Sequence, residues 1–166
     1  MKIETLEQAF IHELSDVYSA EKQLTKALPR LSKAATNEQL AQGFQDHLAE
    51  TEGQIERIDQ IVEMLEIKLN RIKCKAMEGL IEEGAEIIKE IEEGPVRDAM
   101  LIAAGQKVEH YEIATYGTLV ELARKLGYGE AADLLQETLD EEKATDEKLN
   151  MVAIEEVNDE AMQMAA

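Results

Sequence analysis

Two pairs of apolar stripes, each pair joined by a short break and the two pairs separated by a long one, leave this chain few folds. Phe10, Leu14, Val17, Leu24, Leu28 and Leu31 recur at the three- and four-residue steps of one helix face, predicting a first long helix over 5–34 with Thr5 as its N-cap. Pro29 is expected to kink or loosen its last turn. The run Ala35-Thr36-Asn37 breaks the pattern. Asn37 caps a second helix over 38–66, whose inner face reads Leu40, Phe44, His47, Thr51, Ile55, Ile58, Val62 and Leu65. A third helix over 95–126 and a fourth over 130–155 flank the tight turn "LGYGE", with Gly127 as the C-cap. Between the pairs, residues 67–94 hold a basic patch and a shorter amphipathic helix with Met77, Leu80, Ile81, Ile88 and Ile91; Gly94 suits a C′ position and Pro95 the first turn of the next helix. Short loops make antiparallel neighbours, and one long crossover is the connectivity of ferritin-like four-helix bundles. The expected fold is all-α, a single ferritin-like domain over 1–166 with a short additional helix in the crossover and a frayed polar tail over 156–166.

Composition agrees and removes several classes of function. No alternating β-branched stretch suggests a strand, and Pro occurs twice in 166 residues. The formal charge of −19 repels phosphate backbones and anionic lipid, so nucleic-acid and membrane roles are disfavoured, while cations are attracted. One cysteine, Cys74, cannot form an internal disulfide and reads as an inert thiol. With no apolar signal core and no membrane-length apolar run, a cytoplasmic protein is expected.

The stripes are interrupted by acid. The core-facing side of the third helix runs Ile102, Gly105, Glu109, Glu112, Tyr116, Leu119, Ala123 and Leu126. Glu21 stands on the first stripe, Glu50 beside the second, and Glu142 on the fourth with Leu135 and Leu149. Glu21 lies 15 residues before Thr36 and Glu50 lies 13 after Asn37; Glu112 lies 15 before Gly127 and Glu142 lies 13 after Gly129. At about 1.5 Å per residue each is roughly 20–23 Å from its own turn, and the turns occupy opposite ends of a bundle about 45 Å long. The acids therefore meet near the midplane, and Glu109 is one turn from Glu112.

Burying unpaired carboxylates costs several kcal/mol each. Lys107 and Lys143 point elsewhere by helical angle, which leaves shared protons or a bound cation as the remedy. Two divalent ions nearly balance five carboxylates, and oxygen ligands with some imidazole suit iron or manganese. His47, on the inner face three residues before Glu50, is a candidate ligand or a hydrogen-bonded core residue. Glu50 falls toward its helix flank, where a salt bridge competes with ligation, and Glu141 replaces Glu142 if the fourth helix is rotated. Tyr18 and Tyr116 lie within a turn of the acids as donors or core filler. His12 reads as surface. His110 faces outward among Ala99, Ala103, Ala114 and Gly117, a small-residue face suited to the crossover helix or to a homodimer.

The segments "LSDVYSAEKQL", "HLAETEGQIERID", "QKVEHYEIATYGTL" and "LLQETLDEEKATD" resemble, in order and over nearly the whole chain, the YciF/YciE family of bacterial ferritin-like stress proteins. That resemblance implies a homodimer associated with stress responses. Similarity to rubrerythrin-like proteins implies Glu21, Glu109 and Glu112 as ligands, with Glu50 and Glu142 as the carboxylates of the second and fourth helices. Di-iron bundles carry Glu-x-x-His on two helices; here Gly53 and Thr145 stand at the His positions, so the set is rich in carboxylate and poor in imidazole. Its two functional readings are a dimetal site handling peroxide or oxygen, and a non-enzymatic helical dimer whose cluster is protonated or holds metal structurally.

Overall fold

A computed structural model describes residues 2–164. Its helices are α1 (Leu6–Ala34), α2 (Glu38–Met64), α3 (Lys75–Glu90), α4 (Pro95–Leu126) and α5 (Gly129–Val152). A π-helical turn (Ala153–Val157) and α6 (Asn158–Gln163) follow, and among the described residues there is no strand. The helices α1, α2, α5 and α4 pack in that order around a ferritin-like four-helix bundle, with α3 against the α1–α4 side.

Local signals explain the ends. Thr5 Oγ1 accepts from the Gln8 backbone N–H at 3.2 Å while Gln8 Oε1 accepts from the Thr5 N–H at 3.3 Å, a reciprocal capping box. Asn37 Oδ1 accepts from the Leu40 N–H at 3.0 Å. At the other end Gly127 takes φ 80°, a left-handed value that favours glycine, and closes α4. The α1–α2 turn is fastened to α4: buried Asp98 accepts from the backbone N–H groups of Thr36 at 2.9 Å and Asn37 at 2.8 Å. The α4–α5 turn sits beside the start of α1, where the Tyr128 and Phe10 ring centroids are 5.8 Å apart. The two turns thus occupy opposite ends.

The α1 helix runs through Pro29 to Ala34, with Leu31 and Ser32 buried beyond the missing hydrogen bond. Two details differ from the sequence reading. Gly94 is the N-cap of α4, with φ 144°, and Ile91 ends α3. The tail is helical rather than frayed where described. Val157 is fully buried, and Glu156 accepts hydrogen bonds from Asn37 and Gln39 at the start of α2. Residues 165–166 of that expected tail lie outside the described residues, as does residue 1.

The core is divided in two. Phe10, Leu14, Ile58, Ile61, Leu119 and Leu135 belong to one apolar cluster, and Leu24, Leu28, Phe44, Leu101, Ile102 and Leu149 to another. Every bundle helix contributes to both, and a polar layer lies between them: Glu21 on α1, His47, Thr51 and Gln54 on α2, Glu109 and Glu112 on α4, Glu142 on α5.

Candidate metal centre

The layer is buried. Glu21, Glu112 and Glu142 have no exposed surface, and Glu109 and His47 are almost as buried. One donor atom each from His47, Glu109, Glu112 and Glu142 falls within 4.8 Å of all the others. His47 Nε2 lies 3.2 Å from Glu109 Oε1 and 4.0 Å from Glu112 Oε2, yet it makes no aligned hydrogen bond to either. Glu21 reaches the layer from α1 and accepts from the Tyr116 hydroxyl, which aims one carboxylate oxygen and leaves the other without a partner.

Unpartnered atoms concentrate here. They are Glu21 Oε2, both His47 nitrogens, Glu109 Oε2, both Glu112 oxygens and Glu142 Oε2, with Gln54 Oε1 beside them. Elsewhere among the described residues only Asn70 Nδ2 and Arg97 Nε are so placed. Buried polar atoms are normally paired, and leaving one unmet costs about 1–3 kcal/mol. Ligands about 2 Å from a shared ion are at most about 4 Å apart, so a set lying within 4.8 Å has to draw in by less than about 1 Å to share one. The set of carboxylate oxygens and one imidazole can hold a divalent cation.

Electrostatics point the same way. Burial, and then the Glu142 carboxylate, push Glu21 up to about 7, although the Tyr116 hydrogen bond works against them. Glu109 and Glu112 are held well above the usual carboxylate range by burial and by Glu142. Burial alone would lower the His47 pKa, but the carboxylates of Glu50, Glu142 and Glu21 outweigh it and hold it above its ordinary value. No lysine or arginine among the described residues pairs with Glu21, Glu109, Glu112 or Glu142; Arg57 goes to Glu141 and Lys148 to Glu50.

Glu50 is only partly drawn in. Its carboxylate is half-buried, 3.7 Å from His47 Nδ1 and 3.6 Å from Lys148 Nζ, and accepts from Thr145 Oγ1 at 3.0 Å. The neighbouring imidazole, then Thr145, hold it below the usual carboxylate range. It stands on the rim, at the inner end of a groove of about 550 Å³ between α2 and α5 that reaches His47 and Glu109.

The family described as "Domain of unknown function (DUF892)" matches residues 5–162. This chain belongs to the DUF892 family. Within it, the chain is 62% identical over 162 residues to Protein YciF of Escherichia coli K12, covering 97% of this chain and 98% of that one. The crystal structure of the E. coli stress protein YciF superposes with a TM-score of 0.91 at 63% identity, over 94% of this chain and 99% of that one. YcfI from Rhodopseudomonas palustris follows with a TM-score of 0.88 at 47% identity, over 92% and 97%. A Xanthomonas campestris protein at 19% identity, TM-score 0.76, covering 98% and 100%, shares the fold.

In this DUF892 chain the structure brings Glu21, His47, Glu109, Glu112 and Glu142 together and leaves Glu50 at the edge. It also decides between Glu141 and Glu142. Glu141 is turned toward Arg57, with guanidinium contacts of 2.5 and 2.7 Å, while Glu142 is buried in the layer. Gln54, unmentioned by the sequence reading, is fully buried and donates to Glu142 and, at 3.1 Å, to Glu141. A polar residue between Thr51 and Ile55 on an inner face was the available signal. Tyr116 is a donor to the site; Tyr18 is not, and lies in the outer packing with Lys22 Nζ 5.0 Å from its ring centroid. Of the small-residue face, Ala99 packs in the cluster that α3 joins, whereas Ala114 is exposed and His110 Nε2 lies 3.2 Å from Asp146. No helix among the described residues is long and apolar enough to cross a membrane.

Proposed function

We infer that this chain is a cytoplasmic stress-response protein that, as a homodimer, holds two transition-metal ions at mid-bundle and handles peroxide or oxygen there. The observation that carries this reading is the buried convergence of four acids and one imidazole with no cationic side chain to pair them and most donor atoms unmet. The naming of E. coli YciF as a stress protein supports the physiological part.

His47, Glu109, Glu112 and Glu142 would hold one ion, and Glu21, beside Glu112 and Glu142, supplies the further carboxylate a second needs. Iron or manganese, once bound, would supply redox cycling between adjacent oxidation states, giving electrons to peroxide or oxygen and being re-reduced by an external donor. The protein's own part is positional. Tyr116 fixes Glu21, Gln54 fixes Glu142, and the apolar clusters on either side keep bulk water out. Thr145 and Lys148 hold Glu50 near His47 at the solvent side.

One observation favours a second reading: burial and mutual repulsion raise Glu21, Glu109 and Glu112, so a metal-free cluster can share protons instead. The protein would then be a structural helical dimer. Elemental analysis after growth with added iron or manganese separates the two. About two ions per chain, with peroxide consumption by the loaded protein, supports the first reading. Metal below about a tenth of an ion per chain, with unchanged stability on chelation, supports the second.

A further inference from the structure

The groove along the α2–α5 seam is larger and more apolar than a path for an ion requires. It encloses about 550 Å³, whereas a water molecule takes about 30 Å³ and organic ligands occupy pockets of about 300–1,000 Å³. Leu40, Phe44, Leu149 and Val152 form its wall. Its inner end is His47 and Glu109, both almost fully buried, with unpartnered polar atoms. Its outer end is Glu38 and Glu155, near the tie between Gln39 and Glu156. From Glu38 to Glu50 the α2 side runs about 18 Å. The shape is a slot with acid at its mouth, hydrocarbon along its length and the candidate metal centre at its foot.

Charge selects the ligand. Glu38, Asp46, Glu50 and Glu155 line the slot, and Lys148, already beside Glu50, is its one lysine or arginine among the described residues. At the mouth an anionic head group would meet like charge, whereas an ammonium would meet unpaired carboxylates; at the foot Lys148 and His47 offset Glu50. We propose that the groove binds a slender aliphatic amine. Its ammonium lies against Glu38 and Glu155, its methylenes along Phe44 and Leu149, and its far end beside His47. Binding in the groove stands on the lining alone, and only the statement that the far end meets a metal rests on the function proposed above.

Calorimetric titration of the full chain with decylamine, first after chelation and then loaded with Co²⁺, tests both parts. The expected result is saturable binding of one molecule per chain, with decanoate weaker by about tenfold or more. Gly43 lines the groove, and an added Cβ there meets nothing within 4 Å. Gly43→Leu should therefore fold and weaken decylamine by about tenfold. The surface pair Glu38→Gln and Glu155→Gln, which leaves the core untouched, should weaken it by about threefold or more. Absence of saturable binding, equal affinity for decanoate, or indifference to both variants overturns the proposal. So does dissociation of a dimer by decylamine in light scattering, which would make the groove an interface between copies. If decylamine binds while Co²⁺ does not, the groove stands and the metal reading falls. If Co²⁺ binds but its visible spectrum ignores bound decylamine, the far-end placement is overturned.

Discussion

Neither oxygen of Glu112 has a hydrogen-bond partner, and burial with Glu142, Glu21 and Glu109 nearby holds its carboxyl well above the usual range. Replacing that carboxyl should have opposite effects on two quantities. Glu112→Gln should abolish most metal uptake and raise the melting temperature of the chelated protein by several degrees, since about 1 kcal/mol shifts a domain of this size by about 2–4 °C. Equilibrium dialysis and calorimetry on one preparation check both. Glu21 allows a pH statement. Its carboxyl is raised from 4.5 to about 7 on folding, so the folded chain holds the extra proton and metal-free stability falls as pH rises through that interval. His47, raised as well, acts in the same direction, and Glu50, lowered, acts only at more acidic pH. With Glu109, Glu112, Glu142 and Tyr116 facing the same space, metal-free protein should melt higher near pH 5.5 than near pH 8.5, Glu21 alone contributing on the order of 2 kcal/mol to the difference. Excess Mn²⁺ should reverse that order, because deprotonated ligands bind metal better. Thermal melts at both pH values, with and without the ion, give the sign directly.

At the scale of elements, the bundle is fastened by a few polar contacts between helix ends. Asp98, in the first turn of α4, takes the backbone N–H groups of Thr36 and Asn37. Asp98→Ala would leave both unmet and should cost about 1–3 kcal/mol in chemical denaturation, with little change in metal uptake. The helices and their antiparallel pairing were legible because the stripes are long and the breaks short. The height of Glu21, Glu112 and Glu142 followed from counting residues back to each turn, a count that survives small errors in helix ends. Rotation about the helix axis was less legible. Glu50 and Glu141 lie at stripe edges, where periodicity alone does not decide between the core and the Arg57 or Lys148 side chains that hold them. Gln54 escaped because an amide on a stripe carries no charge to count, and the tail escaped because one buried residue, Val157, anchors an otherwise polar segment.

For the whole molecule, the two apolar clusters and the acid layer between them set a balance that a bound ion shifts. Binding to the folded state alone stabilises by about 2.7 kcal/mol at a ligand concentration of 100 Kd. Chelation should therefore lower the melting temperature of metal-loaded protein, and titration with Mn²⁺ should restore it in a concentration-dependent way. The outward face around Ala114 and Gly117 is open in the isolated chain, where a Cβ on Gly117 would meet nothing within 4 Å. If that face forms the proposed dimer, Gly117→Arg should shift the sedimentation profile from dimer to monomer without disturbing the core. The charge of −19 predicts that ionic strength slows metal uptake more than it weakens the final affinity. The central claim concerns what the buried acid layer holds, and anomalous diffraction from crystals grown with Mn²⁺ tests it most directly. Two strong peaks among Glu21, His47, Glu109, Glu112 and Glu142 are predicted. An anomalous map with no density there, or with peaks only among surface carboxylates, would contradict it.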